Sequence, residues 1–142
     1  MPSRPRLTLL APIVFGSALL AACVASPDDA APLTADHELV QRSQHGLVEA
    51  TVALEGSTIV RGTNDLSITL RADQGSAAPE LLSVDAAMAA HGHRTSAARI
   101  VGQGGSFRAV DLDLFMSGRW QITLGVELDA SSDVVEFALD VP

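Results

Sequence analysis

The sequence predicts an all-β domain, an antiparallel β-sandwich of about seven short strands, and three observations predict it. Apolar residues alternate with polar ones at a period of two in one segment after another. These segments recur at short, regular spacing, separated by clusters of Gly, Asn, Asp, Ser and Pro. No segment beyond the N-terminal leader sustains the 3.6-residue apolar period of a long helix.

Taken in order, the first alternating run places Val48, Ala50, Val52 and Leu54 on one face and Glu49, Thr51 and Ala53 on the other. The turn chemistry of Gly62 and Asn64 follows. In "DLSITLR", Leu66, Ile68 and Leu70 point inward while Asp65, Ser67, Thr69 and Arg71 face water. After the link "DQGSAAP", a short strand carries Leu82, Val84 and Ala86 on one face. "AARIV" then runs into "GQGG", whose glycines allow positive φ and a tight reversal, and the chain leaves through Val110, Leu112 and Leu114. Ser117 and Gly118 interrupt the pattern. Trp120, Ile122, Leu124, Val126 and Leu128 then share a face, and Val135, Phe137, Leu139 and Val141 form the last buried row. The stretch "TADHELVQRSQ" could form a helical turn near the start of the domain.

Residues 1–22 read as a lipoprotein signal peptide. Arg4 and Arg6 precede an apolar stretch from Leu7 to Leu20, interrupted by Pro12 and Gly16 and too short for a comfortable membrane span. Leu20-Ala21-Ala22-Cys23 resembles a bacterial lipobox, and Cys23 is the only cysteine of the chain. Acylated there, the protein would be anchored to the cell envelope without spanning it, on the periplasmic side or the cell surface. The alternative is an ordinary secretory signal with an unmodified thiol. Val24, rather than an aspartate, follows the cysteine, which favours an outer membrane where the cell has one. Residues 23–44 read as the lipidated N-terminus and a Pro/Ala/Asp-rich flexible tether, and residues 45–142 as the domain.

Composition narrows the functions open to that domain. All nine basic residues are arginines and two lie in the leader, so seven face seventeen carboxylates and the remainder carries a net charge of −10. Such a surface argues against nucleic acid or anionic lipid as a partner, because both need a cationic footprint. With Cys23 consumed there is no disulfide, thiolate ligand or cysteine nucleophile, and the absence of lysine removes Schiff-base chemistry. No nucleophile elbow, zinc-protease helix, P-loop or dinucleotide fingerprint is present. Asp111 and Asp113 read as the wet face of a strand, and His37 and His45 have no partners in the pattern.

The window "MAAHGHR", residues 88–94, holds two of the four histidines and one of the three methionines. Two residues apart in a strand, His91 and His93 project to the same side and could converge on one ion, although Gly92 loosens that geometry. Met88, His91, His93 and Met116 form a candidate N/S donor set, suited to a weak, exchangeable copper site better than to a closed zinc site. The plain reading of the same residues is a polar loop that tolerates two imidazoles, with Met116 and Trp120 in the core.

The runs "GTNDLSITL", "VDAAMAAHGH", "FMSGRWQITLGV" and "VVEFALDV" together resemble the YtkA-like (FixH-related) domain, over roughly residues 45–142. Its most specific part here is Met116-x-Gly118-x-Trp120 after a Met-to-His loop. Met88, Gly92 and His93 match that loop, while Ala89 stands where proline is usual and His91 where a second methionine is usual. The resemblance implies an immunoglobulin-like sandwich in an exported, membrane-anchored protein, with relatives near copper-handling systems. Two functions are therefore expected: a non-catalytic module binding copper through the Met/His loop, or a metal-free module binding another envelope protein. No enzyme is expected, since no nucleophile, base and orienter can be assembled.

Overall fold

The computed structural model describes residues 38–142 except Ser57. The expected leader and lipobox at Cys23, and the expected tether as far as His37, lie outside the described residues. Eight strands are described: β1 (Leu39–Arg42), β2 (Glu49–Leu54), β3 (Gly62–Arg71), β4 (Glu80–Met88), β5 (His93–Gln103), β6 (Ser106–Leu114), β7 (Gly118–Leu128) and β8 (Ser131–Val141). Every pairing is antiparallel, in the order β1-β2-β3-β6-β5-β4-β7-β8.

The all-β, antiparallel reading holds, but the arrangement differs from a sandwich of about seven strands. β5 makes the difference. Its first residues, His93 to Ser96, pair with β4, whereas Ala97 to Gln103 pair with β6. One strand thus belongs to both halves, and the eight strands form a continuous sheet curled nearly into a barrel. Alternation shows which side of a strand is buried and says nothing about its neighbours. The helical turn expected in "TADHELVQRSQ" is instead β1, paired with β2 from Leu39↔Val52 to Arg42↔Glu49. The folded domain accordingly begins before residue 45. At this short, marginal segment, backbone pairing with an open edge outweighs local helix propensity.

The inward rows are those read from the sequence with two exceptions, the first being that Ala109, not Val110, takes the core position before Leu112. Val48, Ala50, Val52, Leu66, Ile68, Leu70, Trp120, Ile122, Leu124, Val126, Val135, Phe137 and Leu139 are all buried in one core. Leu82, expected inside with Val84 and Ala86, is 52% exposed, and Leu81 takes the inner position. A register shift between Leu81 and Ser83 turns the face over, and Ser83 Oγ lies against Gly125 on β7, where a Cβ would meet it at 2.7 Å. A second shift lies between β3 and β6, and there Asp111 adopts φ 56° and its N–H donates to Asp65 Oδ1 at 2.9 Å. The "GQGG" reversal is as expected, with Gln103 paired to Ser106 around Gly104 and Gly105. Arg108 joins this sheet electrostatically, bridging Glu55 and Asp65 from the facing strand.

The curl is held closed by Asp133 at the start of β8. Its side chain is inaccessible to solvent. It accepts hydrogen bonds from the N–H groups of His45 (3.0 Å) and Val134 (2.8 Å), from His45 Nδ1 (2.9 Å) and from the Ser43 hydroxyl. The Gln44 N–H donates to the Val134 carbonyl at 2.9 Å, so the β1–β2 loop is stitched to the far edge of the sheet. His45 therefore has a partner that the sequence pattern does not reveal. Burial pushes the Asp133 carboxyl up, but the Ser43, His45 and backbone donors outweigh it and hold the pKa at about 2, below the ordinary 3.8.

Two predictions follow from these contacts. A carboxylate whose folded pKa is depressed contributes stability that is present above its unfolded value and lost as pH falls through the folded one. Denaturation of the wild type and Asp133→Asn between pH 6 and pH 1.5 should give a gap of about 1–2 kcal/mol above pH 4, the low end allowing for the largely exposed His45 partner. That gap should close between pH 4 and pH 2; a pH-independent gap would show that the carboxylate's charge is not what closes the sheet. The β7–β8 reversal places Asp129 at φ 49° and Ala130 at φ 62°, a conformation that costs a β-carbon free energy. Ala130→Gly should raise stability by about 0.5–1 kcal/mol in chemical denaturation.

Candidate metal centre

The β4–β5 hairpin builds the site. Met88 ends β4, Ala89 to Gly92 form the loop, and His93 opens β5. The His91 N–H donates to the Met88 carbonyl at 3.1 Å, and Gly92 takes φ 67° in open space. Only a glycine adopts that dihedral without strain, and it is what returns the chain to an extended strand at once. The two imidazoles flank this reversal with ring centroids 6.2 Å apart and planes inclined by 27°. His91 is exposed and His93 half-buried.

Met88 and His93 are cross-strand partners, so their side chains leave the sheet on the same, core-facing side. They meet different surroundings because the barrel ends here. Met88 is 2% exposed and belongs to the core. Its methyl carbon lies 3.4 Å from where a Cβ on Gly118 would stand, and Gly118 has φ 119°. His93, directly opposite it, meets Phe115 edge-on at 5.3 Å, and Phe115 in turn meets Trp120 at 5.4 Å.

The Met116-x-Gly118-x-Trp120 segment closes this end of the barrel from the opposite side. Trp120 is fully buried, and its Nε1–H donates to the Met116 carbonyl at 2.9 Å. That bond draws the connection between β6 and β7 into a tight turn and satisfies the indole donor. Met116 is partly buried, packed against the core. Of the four donors expected from the sequence, the structure brings His91 and His93 together at the surface, sets Met88 beneath them with its side chain in the core, and leaves Met116 against the core.

Phe115 is the neighbour that sequence reasoning missed. It is 41% exposed beside His93, on the parity opposite to the buried Leu112 and Leu114. An apolar residue at an outward position just past a strand is the available signal, but only the tertiary fold shows what lies next to it. Among the described residues, no group of three or more His, Cys, Asp or Glu side chains could hold a metal ion. The chemistry on offer is therefore that of two imidazoles at an accessible hairpin tip, with an aromatic ring on one flank. Two neutral nitrogen donors suit an exchangeable transition-metal ion and leave further coordination positions open.

If Met88 supports the hairpin from the core, Met88→Leu should cost under about 1.5 kcal/mol and leave any copper binding at the imidazoles unchanged, whereas Met88→Ala should cost about 2–5 kcal/mol. Thermal melts with a copper titration of each variant check both halves; a stable leucine variant with weakened binding would return Met88 to the donor set.

Compared with known protein families, curated proteins and solved structures, the chain matches none of them.

Proposed function

We propose that the chain is a non-catalytic cell-envelope module, anchored through acylated Cys23, that binds or passes on copper at the β4–β5 hairpin. The single observation behind this reading is the convergence of His91 and His93, with centroids 6.2 Å apart at an exposed tip. Imidazoles so placed can share an ion without displacing any buried group. The acidic remainder of the chain favours cations in its vicinity.

In the same reading the domain is YtkA-like, its fold related to an immunoglobulin-like sandwich. What supports that assignment is the contact set among the residues that carry the resemblance: Met88 against Gly118, and the Trp120 indole on the Met116 carbonyl. The end of the β4–β5 hairpin and the β6–β7 connection are thereby locked at one end of the sheet.

A second reading, a metal-free module that binds another envelope protein, draws on a different place. Beyond Asp85 and Ser96, β4 and β5 part company, and the cleft between them is lined by Pro79, Leu81, Leu82, Ile100 and Phe107. Leu82 is 52% exposed there. An unpaired strand edge beside apolar side chains suits an added extended segment.

Titration of the purified protein with copper against a chromophoric chelator, alongside His91→Ala/His93→Ala, separates the two. Copper handling predicts one ion per chain, lost in the double variant, with stability lowered by about 1 kcal/mol or less through the lost contact of His93 with Phe115. Equal behaviour of the two proteins would move the function to the cleft.

A further inference from the structure

Resting on the copper reading, we propose that the hairpin selects a soft monovalent ion in near-linear two-coordinate geometry, Cu(I) being the physiological candidate and Ag(I) its analogue. The argument is metric. A metal–imidazole bond of about 2.0–2.1 Å, plus the distance from a ring nitrogen to its centroid, puts an ion roughly 3.2 Å from each centroid. Two such rings would have centroids about 6.4 Å apart around a linear ion, about 5.2 Å around a tetrahedral one and about 4.5 Å at a right angle. The observed separation is 6.2 Å, close to the linear value.

Rotation about the last side-chain torsion spins each ring around an axis that runs near its centroid. The nitrogens can therefore turn toward an ion while the centroid separation, set by the backbone and χ1, changes little. That backbone is fixed by the Met88–His93 pairing, the His91 N–H to Met88 carbonyl bond and Gly92. Closing the rings to the tetrahedral or right-angle spacing would mean moving His93 off Phe115 or turning the exposed His91 about χ1. Zn(II), which wants a tetrahedron, finds the two donors spread too wide, and Cu(II), in whose tetragonal plane a trans pair would fit, finds only two of the four or more donors it wants. A d¹⁰ monovalent ion is content with two, and the Phe115 ring leaves one flank of it dry.

Competition titrations of the purified protein with Ag(I), Cu(I), Zn(II) and Cu(II), in chloride-free buffer and with His91→Ala/His93→Ala as background, test this. The expected result is one Ag(I) or Cu(I) per chain, at least ~100-fold tighter than Zn(II), lost in the double variant, with two nitrogen neighbours in X-ray absorption. Zn(II) or Cu(II) bound as tightly as Ag(I), and lost in the variant, would overturn the two-coordinate proposal and leave the metal reading standing. Binding of no ion above the variant's background would overturn both.

Discussion

A solvent-inaccessible carboxylate with hydrogen-bond donors from two ends of the sheet is the constraint on which this fold turns. Asp133 opens β8, and the donors that satisfy it come chiefly from the loop between β1 and β2. An unpaired charge in that position would be costly, so the loop and the strand must meet. Their meeting brings the two edges of an eight-strand sheet together, and the inner faces then share a single core. β1 has only four residues and makes its one strand pairing to β2, so it gains much of its definition from this seam.

Closure of the sheet also places the hairpin tip. β5 is shared between two halves of the sheet, so its first residues are committed to β4 and its last to β6. The committed start fixes His93 opposite Met88 at the mouth of the barrel. On the core side, Met88, Gly118 and Trp120 fill the end of the barrel; on the solvent side, His91, His93 and Phe115 meet water. One strand pairing therefore decides both the packing beneath the site and the spacing of the imidazoles within it. The same commitment opens the cleft where β4 and β5 diverge, which is why the two functional readings lie on one hairpin's opposite ends.

The rows that alternate cleanly, such as Leu66, Ile68 and Leu70 or Val135, Phe137 and Leu139, are buried as their spacing requires. Where alternation misleads, a bulge is responsible: Leu82 turns outward because Ser83 must sit over Gly125, a residue on a strand some forty positions away in sequence. The histidines show the same division. That His91 and His93 lie near one another follows from two residues of separation and a glycine. That Met88 is held below them, and that Phe115 flanks them, follows from which strands are neighbours.

What the sequence by itself determined is the class of structure and the chemical alphabet of its surface. Period-two alternation can be satisfied only by strands with one wet face, turn residues mark where those strands end, and the absence of cysteine, lysine and tyrosine from the domain removes whole classes of chemistry. The tertiary structure decided how the strands are joined, where the face reverses, and which lone polar residues become partners. His45 and Asp133 are 88 residues apart and belong to no local pattern, yet they hydrogen-bond at 2.9 Å. Local spacing governs which way a side chain points; only the closing of the sheet governs what it meets, because that contact is made between segments the chain keeps far apart.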